Sequence, residues 1–428
     1  MKKYIIFLIC FLSISFSSCE DEKKIELTTD ELARDGLYTT MKYHYLWDEL
    51  MPQVNKNDYS NPYDLLEGMR YRKLDRWSYV QDYQEHLRQD QAIFVGHGIR
   101  IGLDENNKTR IVQIYNKSQL YAQGVRRGWI IKKLNGVELA PIFIAHDGDA
   151  YNTLMGPSQA GITTKFLFEM PDGQEIEISN TKATFTANTV IHFDTLELTT
   201  GTAGHIVFEQ FVSASENELK NAFEFFEQHD INNLIVDLRY NGGGSLAILQ
   251  NLAAHVAGSG KFNKEFLKYV HNEQQKSRNS TINFSSVASS VDMKRIVVIT
   301  TRGTASASED FINGLKPFMD IKIVGDTTHG KPVGMQGFVW GTKYIFFPIT
   351  FTIQNTENYS DFYEGFAPDK YVIDDIAHDW NDRNEACLKE AINIIENGFT
   401  VTKSEYQHFR PTIFSEGKRP NFAFMINN

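Results

Sequence analysis

A run of small residues, Thr304-Ala-Ser-Ala-Ser-Glu309, lies between two apolar segments and restricts what this chain can fold into. Upstream, Arg295-Ile-Val-Val-Ile-Thr300 reads as a buried strand, and downstream the apolar residues at 311, 312 and 315 predict a helix over 309–319. Ser306 therefore falls at a strand-to-helix turn. Such a turn leaves a hydroxyl accessible and aims the N–H groups that open the helix at developing negative charge. A serine hydroxyl is a weak nucleophile at neutral pH, so it needs a base. Lys331, in Thr328-His-Gly-Lys331, follows a second apolar stretch over 321–325 and a turn over 326–330, so two adjacent strand ends would bring it to Ser306. A lysine can act as base only if desolvation or a neighbouring cation lowers its pKa.

A second motif points the same way. Asn233-Leu-Ile-Val-Asp-Leu-Arg239 reads as a buried strand that runs into Tyr240-Asn-Gly-Gly-Gly244 and then into a helix over 246–256. Successive glycines permit positive φ, so their N–H groups can converge on one oxygen. No Gly-Lys-Ser/Thr follows, which removes the phosphate-loop reading and leaves an oxyanion hole as the expectation.

Together, Asp237-Leu-Arg-Tyr-Asn-Gly-Gly-Gly244, Gly303-Thr-Ala-Ser-Ala-Ser-Glu309 and Gly325-Asp-Thr-Thr-His-Gly-Lys331 resemble the C-terminal processing (tail-specific) peptidases of family S41. The resemblance implies Ser306 as nucleophile, Lys331 as general base and Glu309 as the acid that positions the lysine. It implies the backbone N–H groups of Gly244 and Ala307 as oxyanion donors. Ser308 competes as nucleophile, but the spacing to Lys331 favours Ser306. His329 is the alternative base. The family usually has an aromatic-Gly-Lys-Gly sequence and a glutamine four residues after the lysine. Here Pro332 follows Lys331, and Gln336 stands five residues on, which leaves Gln336 without an assured role.

Upstream, Phe94-Val-Gly-His-Gly-Ile-Arg-Ile-Gly102, the strand-like stretch 110–115, the helix-like 118–123, and Gly128-Trp-Ile-Ile-Lys-Lys-Leu-Asn-Gly136 resemble a PDZ domain in the circular arrangement of bacterial proteases. Its closing strands fall at 164–169 and 175–178. PDZ domains bind peptides by strand addition and hold the terminal carboxylate on a backbone loop, here Gly96, Gly98 and Ile99. His97 and Arg100 are unusual within that pattern.

The N-terminus has a basic start, Met1-Lys-Lys3, an apolar stretch over 4–16 too short for an ordinary span, and Ser17-Ser18-Cys19. This reads as a lipoprotein signal with Cys19 as the lipidated residue. The expected location is the cell envelope of a Gram-negative bacterium, as an outer-membrane lipoprotein facing the periplasm or the surface. Cys10 leaves with the signal, and Cys387 remains as an inert core residue in a helical pattern over 384–396. There is no His-Glu-x-x-His pair, and neither metal nor cofactor is implied. The net charge of −11 argues against nucleic acid as a partner.

The expected fold is α/β, a crotonase-like core of ββα units with an inserted PDZ domain and an N-terminal helical cap. The expected divisions are a signal at 1–18, a tether at 19–27, the cap at 28–82, the PDZ-like domain at 83–182 and the peptidase domain at 183–428. Leu37, Met41, Tyr45 and Leu46 mark the apolar side of the cap. The expected function is a lipid-anchored serine endopeptidase that acts on proteins or peptides and selects them by their C-terminal tails. The alternatives are a catalytically silent PDZ-type surface lipoprotein and, on the same scaffold, an acyl-transfer enzyme.

Overall fold

In the computed structural model, residues 28–401 and 410–415 are described. Cys19 and the whole lipoprotein signal lie outside them. The centre of the molecule is a six-stranded sheet in the order Val190–Leu198, Gly201–Phe208, Asn233–Asp237, Arg295–Thr300, Asp320–Gly325 and Lys370–Tyr371. Its first pair is antiparallel and the remaining pairings are parallel. Parallel strands are covered on both faces and so read as unbroken apolar runs. Leu234 to Val236 and Ile296 to Ile299 are such runs, and both are buried. On one face lie helices Ser215–Gln228, Leu246–Ala257 and Ala307–Leu315, sharing a core that includes Phe223, Leu249 and Phe311. On the other lies helix Ala386–Glu396, where Cys387 packs among Ile235, Val297 and Ile394.

Two predicted elements end sooner than expected. The helix after Ser306 spans Ala307–Leu315 rather than 309–319. The strand expected to reach residue 239 stops at Asp237, because the Arg239 guanidinium turns back onto Asp237 and reaches Asp374 and Glu385 at 3.0 and 2.7 Å. That buried network anchors the base of the glycine turn.

The cap helix Thr29–His44 opens with a capping box, in which the Glu31 N–H donates to Thr28 Oγ1 and Thr28 N–H donates to Glu31. Its buried residues Ala33, Leu37 and Met41 lie one turn apart and lead to buried Tyr45. Strand Tyr79–Asp82 then pairs antiparallel with Tyr344–Phe347, which joins the cap to the body.

The second unit is an antiparallel sheet of Ile99–Leu103, Thr109–Ile114, Ile130–Leu134, Thr163–Glu169 and Glu175–Thr181 around Ile111, Phe143, Phe166 and Phe168. Its entry and exit strands, Ile93–Gly96 and Ala183–Thr186, lie side by side, so the unit is an excursion from the main body. The polar residues at 97 and 100 are accounted for. His97 is buried between Thr164 Oγ1 and Asn180 Nδ2 at 2.9 and 2.7 Å, and Arg100 forms a buried ion pair with Glu209 across to the body. A strand from the far end of the 183–428 segment, Thr412–Ser415, also adds to this sheet.

Candidate active site

Adjacent parallel strands Arg295–Thr300 and Asp320–Gly325 deliver two loops to the same sheet edge, one carrying Ser306 and the other Lys331. Ser306 has φ 58 and ψ −119, a region that a residue with a side chain rarely occupies. Asn241 holds this turn against the glycine turn. Its carbonyl accepts from Ala305 N–H at 3.0 Å and from Ser308 Oγ at 2.9 Å, and its side chain donates to the Phe208 carbonyl at 2.9 Å. Ser308 is thus fully buried with its hydroxyl turned away, whereas Ser306 keeps 8% of its surface.

The glycine turn closes over Ser306. Gly243 has φ 93, and a Cβ there would lie 2.8 Å from the Ala307 nitrogen and 2.9 Å from Ser306 Cβ. Its N–H donates to Asn241 Oδ1 at 2.9 Å. The next residue, Gly244, has φ 138 and forms a parallel bridge with Phe211. Among the described residues no carbonyl outside helices and strands accepts from the Gly244 N–H. The Ala307 N–H opens its helix and has no intrahelical acceptor. Ala307 follows Ser306 directly, and Gly243, the neighbour of Gly244, packs against both of them with its own N–H already used.

Glu309 ties the pieces together. Its fully buried carboxylate accepts from Ser306 N–H at 2.9 Å, Thr328 Oγ1 at 2.6 Å, Gly330 N–H at 2.6 Å and Lys331 N–H at 2.9 Å. One oxygen, Oε2, serves both Ser306 and Lys331, so their backbone nitrogens lie within two hydrogen-bond lengths of each other. Glu309 thus contacts the lysine through its main chain. Burial pushes its pKa up, opposed by the bonds from Thr328, Lys331, Gly330 and Ser306.

Lys331 is buried, and desolvation brings its ammonium down to about 7, opposed by the negative charge of Asp310, Asp75 and Glu309. That places a neutral amine within reach at ordinary pH. Asp310, next to Glu309, is fully buried, and neither carboxylate oxygen has a hydrogen-bond partner among the described residues. Burial holds its pKa well above the usual range, with repulsion from Glu309 in the same direction and Lys331 opposing.

His329 has its Nε2 lone pair occupied by the Trp77 indole N–H at 3.1 Å, and burial lowers its pKa to about 4. Gln336 accepts from Arg278 instead of joining the Ser306 cluster. Gly96, Gly98 and Ile99 cluster at the start of the second unit's sheet, where Ser118 Oγ donates to the His97 carbonyl at 2.7 Å.

Sequence reasoning missed Asp75, Trp77, Asn241 and Asp310. Asp75 comes from the cap, accepting from Tyr45 Oη at 2.8 Å and from the N–H groups of Trp77 and Ser78 at 3.0 and 2.9 Å. Only Asp310 carried a local signal, as a second acid directly before the apolar pair Phe311-Ile312 in a helix whose residues are all buried.

Residues 202–372 match the profile of Peptidase family S41, and residues 33–79 match the Peptidase S41 N-terminal domain. The chain carries peptidase family S41 domains. The S41 core profile contains the glycine turn, Ser306, Glu309 and Lys331, and the N-terminal profile contains Asp75 and Trp77. Over 280 residues the chain is 24% identical to the carboxy-terminal processing protease CtpB of Bacillus subtilis (strain 168), spanning 64% of this chain and 55% of that protein. It is also 24% identical over 305 residues to a protein of Staphylococcus aureus (strain MSSA476) named "Probable CtpA-like serine protease", spanning 66% of this chain and 57% of that one. The match thus spans little more than half the length of these curated relatives. Among solved structures, a candidate S41 protease from Bacteroides fragilis NCTC 9343 superimposes with a TM-score of 0.68 at 22% identity, over 85% of this chain and 97% of that one. This likeness establishes the shared mixed α/β fold.

Proposed function

We propose that this S41 chain is a serine endopeptidase working through a Ser306–Lys331 acyl-enzyme. The observation that carries the reading is the single Glu309 carboxylate gripping the N–H groups of both residues beside a lysine whose pKa is about 7. Neutral Lys331 takes the Ser306 proton as Oγ attacks a peptide carbonyl, and the Gly244 and Ala307 N–H groups receive the developing oxyanion. Lys331 then gives that proton to the leaving amine. Water, deprotonated by the same amine, releases the acyl group and restores Ser306. Glu309 acts as a positioning residue.

In this reading the core is crotonase-like, 83–182 is an inserted PDZ-like domain, 28–82 is the cap and 183–428 the peptidase domain. The PDZ-like unit holds substrate tails, raising their concentration at Ser306. Cys19 is lipidated after loss of residues 1–18, tethering the enzyme through 19–27 to the outer membrane of a Gram-negative envelope. The test compares a soluble form starting after Cys19 with its Ser306→Ala and Lys331→Ala variants on casein, with products read by mass spectrometry. Loss of cleavage in both variants supports the mechanism, and cleavage that survives either one refutes it.

A further inference from the structure

The sheet of the second unit ends on a strand that comes from far away in sequence. Thr412–Ser415 pairs antiparallel with Ile99–Leu103, Thr412 facing Leu103 and Ser415 facing Arg100. Without it, Ile99–Leu103 would be an open edge, since every other strand of that sheet falls within 99–181. The segment runs toward the turn that carries Gly96 and Gly98. Its side chains alternate across the strand. Phe414 enters the unit's core, its ring centroid 4.5 Å from that of Phe143 and 5.0 Å from that of Tyr151, on helices Ala140–Ile144 and Gly148–Met155. Ile413 points the other way, packing with Val112 of the unit and with Val207, Ile376 and Trp380 of the body. Just before the strand, Arg410 pairs with Asp326, at the start of the loop that carries Lys331.

Main-chain pairing along an edge strand with one large side chain in a pocket is how a sheet takes an extended peptide. We propose that the groove between strand Ile99–Leu103 and helices Ala140–Ile144 and Gly148–Met155 binds an extended peptide with a bulky aromatic side chain, and that the chain's own 412–415 segment fills it as a tethered competitor. The inference rests on the peptide-binding reading of this unit and deepens it. It defines the ligand by what Phe414 presents, and because the chain continues past Ser415 the seated segment is internal and brings no terminal carboxylate of its own into the groove. A tethered segment acts at an effective concentration in the millimolar range, so a free peptide reaches the groove only by displacing it.

The test measures binding of a fluorescein-labelled Arg-Pro-Thr-Ile-Phe-Ser-Glu peptide, matching residues 410–416, to full-length protein carrying Ser306→Ala to prevent cleavage. Adding Phe414→Asp, which unseats the tail, is expected to tighten binding by about tenfold or more, and a probe with Ala in place of Phe is expected to lose it. Equal binding with and without Phe414→Asp overturns the proposal, since the groove would then be open. A folded Phe414→Asp protein that ignores this probe but binds other peptide tails overturns the proposal and leaves the peptide-binding reading standing. One that binds neither ends both. If Phe414→Asp lowers the melting temperature, Arg410→Ala, outside the groove, takes its place. It should tighten binding by about threefold through a looser tether, and no change overturns the proposal.

Discussion

Two turns of this molecule are built alike, from glycines at positive φ beside buried titratable groups, yet they end in opposite states. At residues 96–99 the polarity is spent on structure. Both His97 ring nitrogens are bonded, Gly98 has φ 74 and would bring a Cβ to 2.9 Å from Ser118 Cβ, and Arg100 meets Glu209. At residues 240–244 and 304–310 polarity is left over. Ser306 sits at positive φ, Lys331 has lost most of its proton affinity, and Asp310 is buried without a hydrogen-bond partner among the described residues. Each of these costs stability, and they are sustained because Glu309 and Asn241 over-determine the turn around them. Strain and unsatisfied polar groups gathered at one place in a well-bonded fold are the features expected of a reactive site.

The largest expected difference between the two turns is catalytic. Ser306→Ala or Lys331→Ala should lower the rate of casein cleavage by about 10³-fold or more with little change in melting temperature, whereas Gly98→Ala should leave kcat within about tenfold. Comparable losses from both turns would break the contrast.

Stability should reverse the order within the active turn itself. Glu309→Ala strips the acceptor from Ser306, Thr328, Gly330 and Lys331 and should cost on the order of 3 kcal/mol in a urea titration. Lys331→Met should instead stabilise the protein at pH 7. Its folded pKa of about 7 lies below the ordinary 10.5, so between those values the unfolded chain binds more protons, and the stability of the wild type rises with pH across that window. Lys331→Met should flatten that slope, and an unchanged slope would mean that Lys331 keeps its proton.

The pH–rate profile sharpens the role of Asp310. Activity should rise with pH through about 7 as Lys331 becomes neutral. Asp310 is the largest of the charges that oppose this loss of the proton, so Asp310→Asn should move the midpoint to lower pH. A midpoint that stays put would show that Asp310 carries no charge while Lys331 titrates.

The smallest effect should come from His97. Its pKa of about 3 lies below 6.5, so the unfolded chain binds more protons between those values and stability falls as pH drops through them. His97→Gln should reduce that acid sensitivity and cost about 1–2 kcal/mol at pH 7, with the midpoint of the rate profile unmoved. A shifted midpoint would couple the two turns.

The local framework of the site was legible because it is written in short-range patterns. The apolar runs around 234–236 and 296–299, the glycines after Tyr240 and the small residues before Glu309 each announce a strand, a turn or a helix from neighbours alone. Adjacent strand ends then sufficed to bring Ser306 and Lys331 to one edge. The early end of strand Asn233–Asp237 was not legible, since Arg239 is drawn back by Asp374 and Glu385 from more than a hundred residues away.

By itself the sequence determined which residue types stand at the turns, because backbone permissiveness at glycine and helix entry at a small residue are local properties. Only the tertiary structure decided which polar groups are used up and which are left. It assigned the Gly243 N–H to Asn241 and, among the described residues, left that of Gly244, turned Ser308 inward, gave the His329 lone pair to Trp77, and set Asp75 and Asp310 against a desolvated Lys331. It also drew Thr412–Ser415 onto an edge strand some three hundred residues upstream. Hydrogen-bond satisfaction and desolvation depend on every atom that surrounds a group, and most of those atoms arrive from distant parts of the chain.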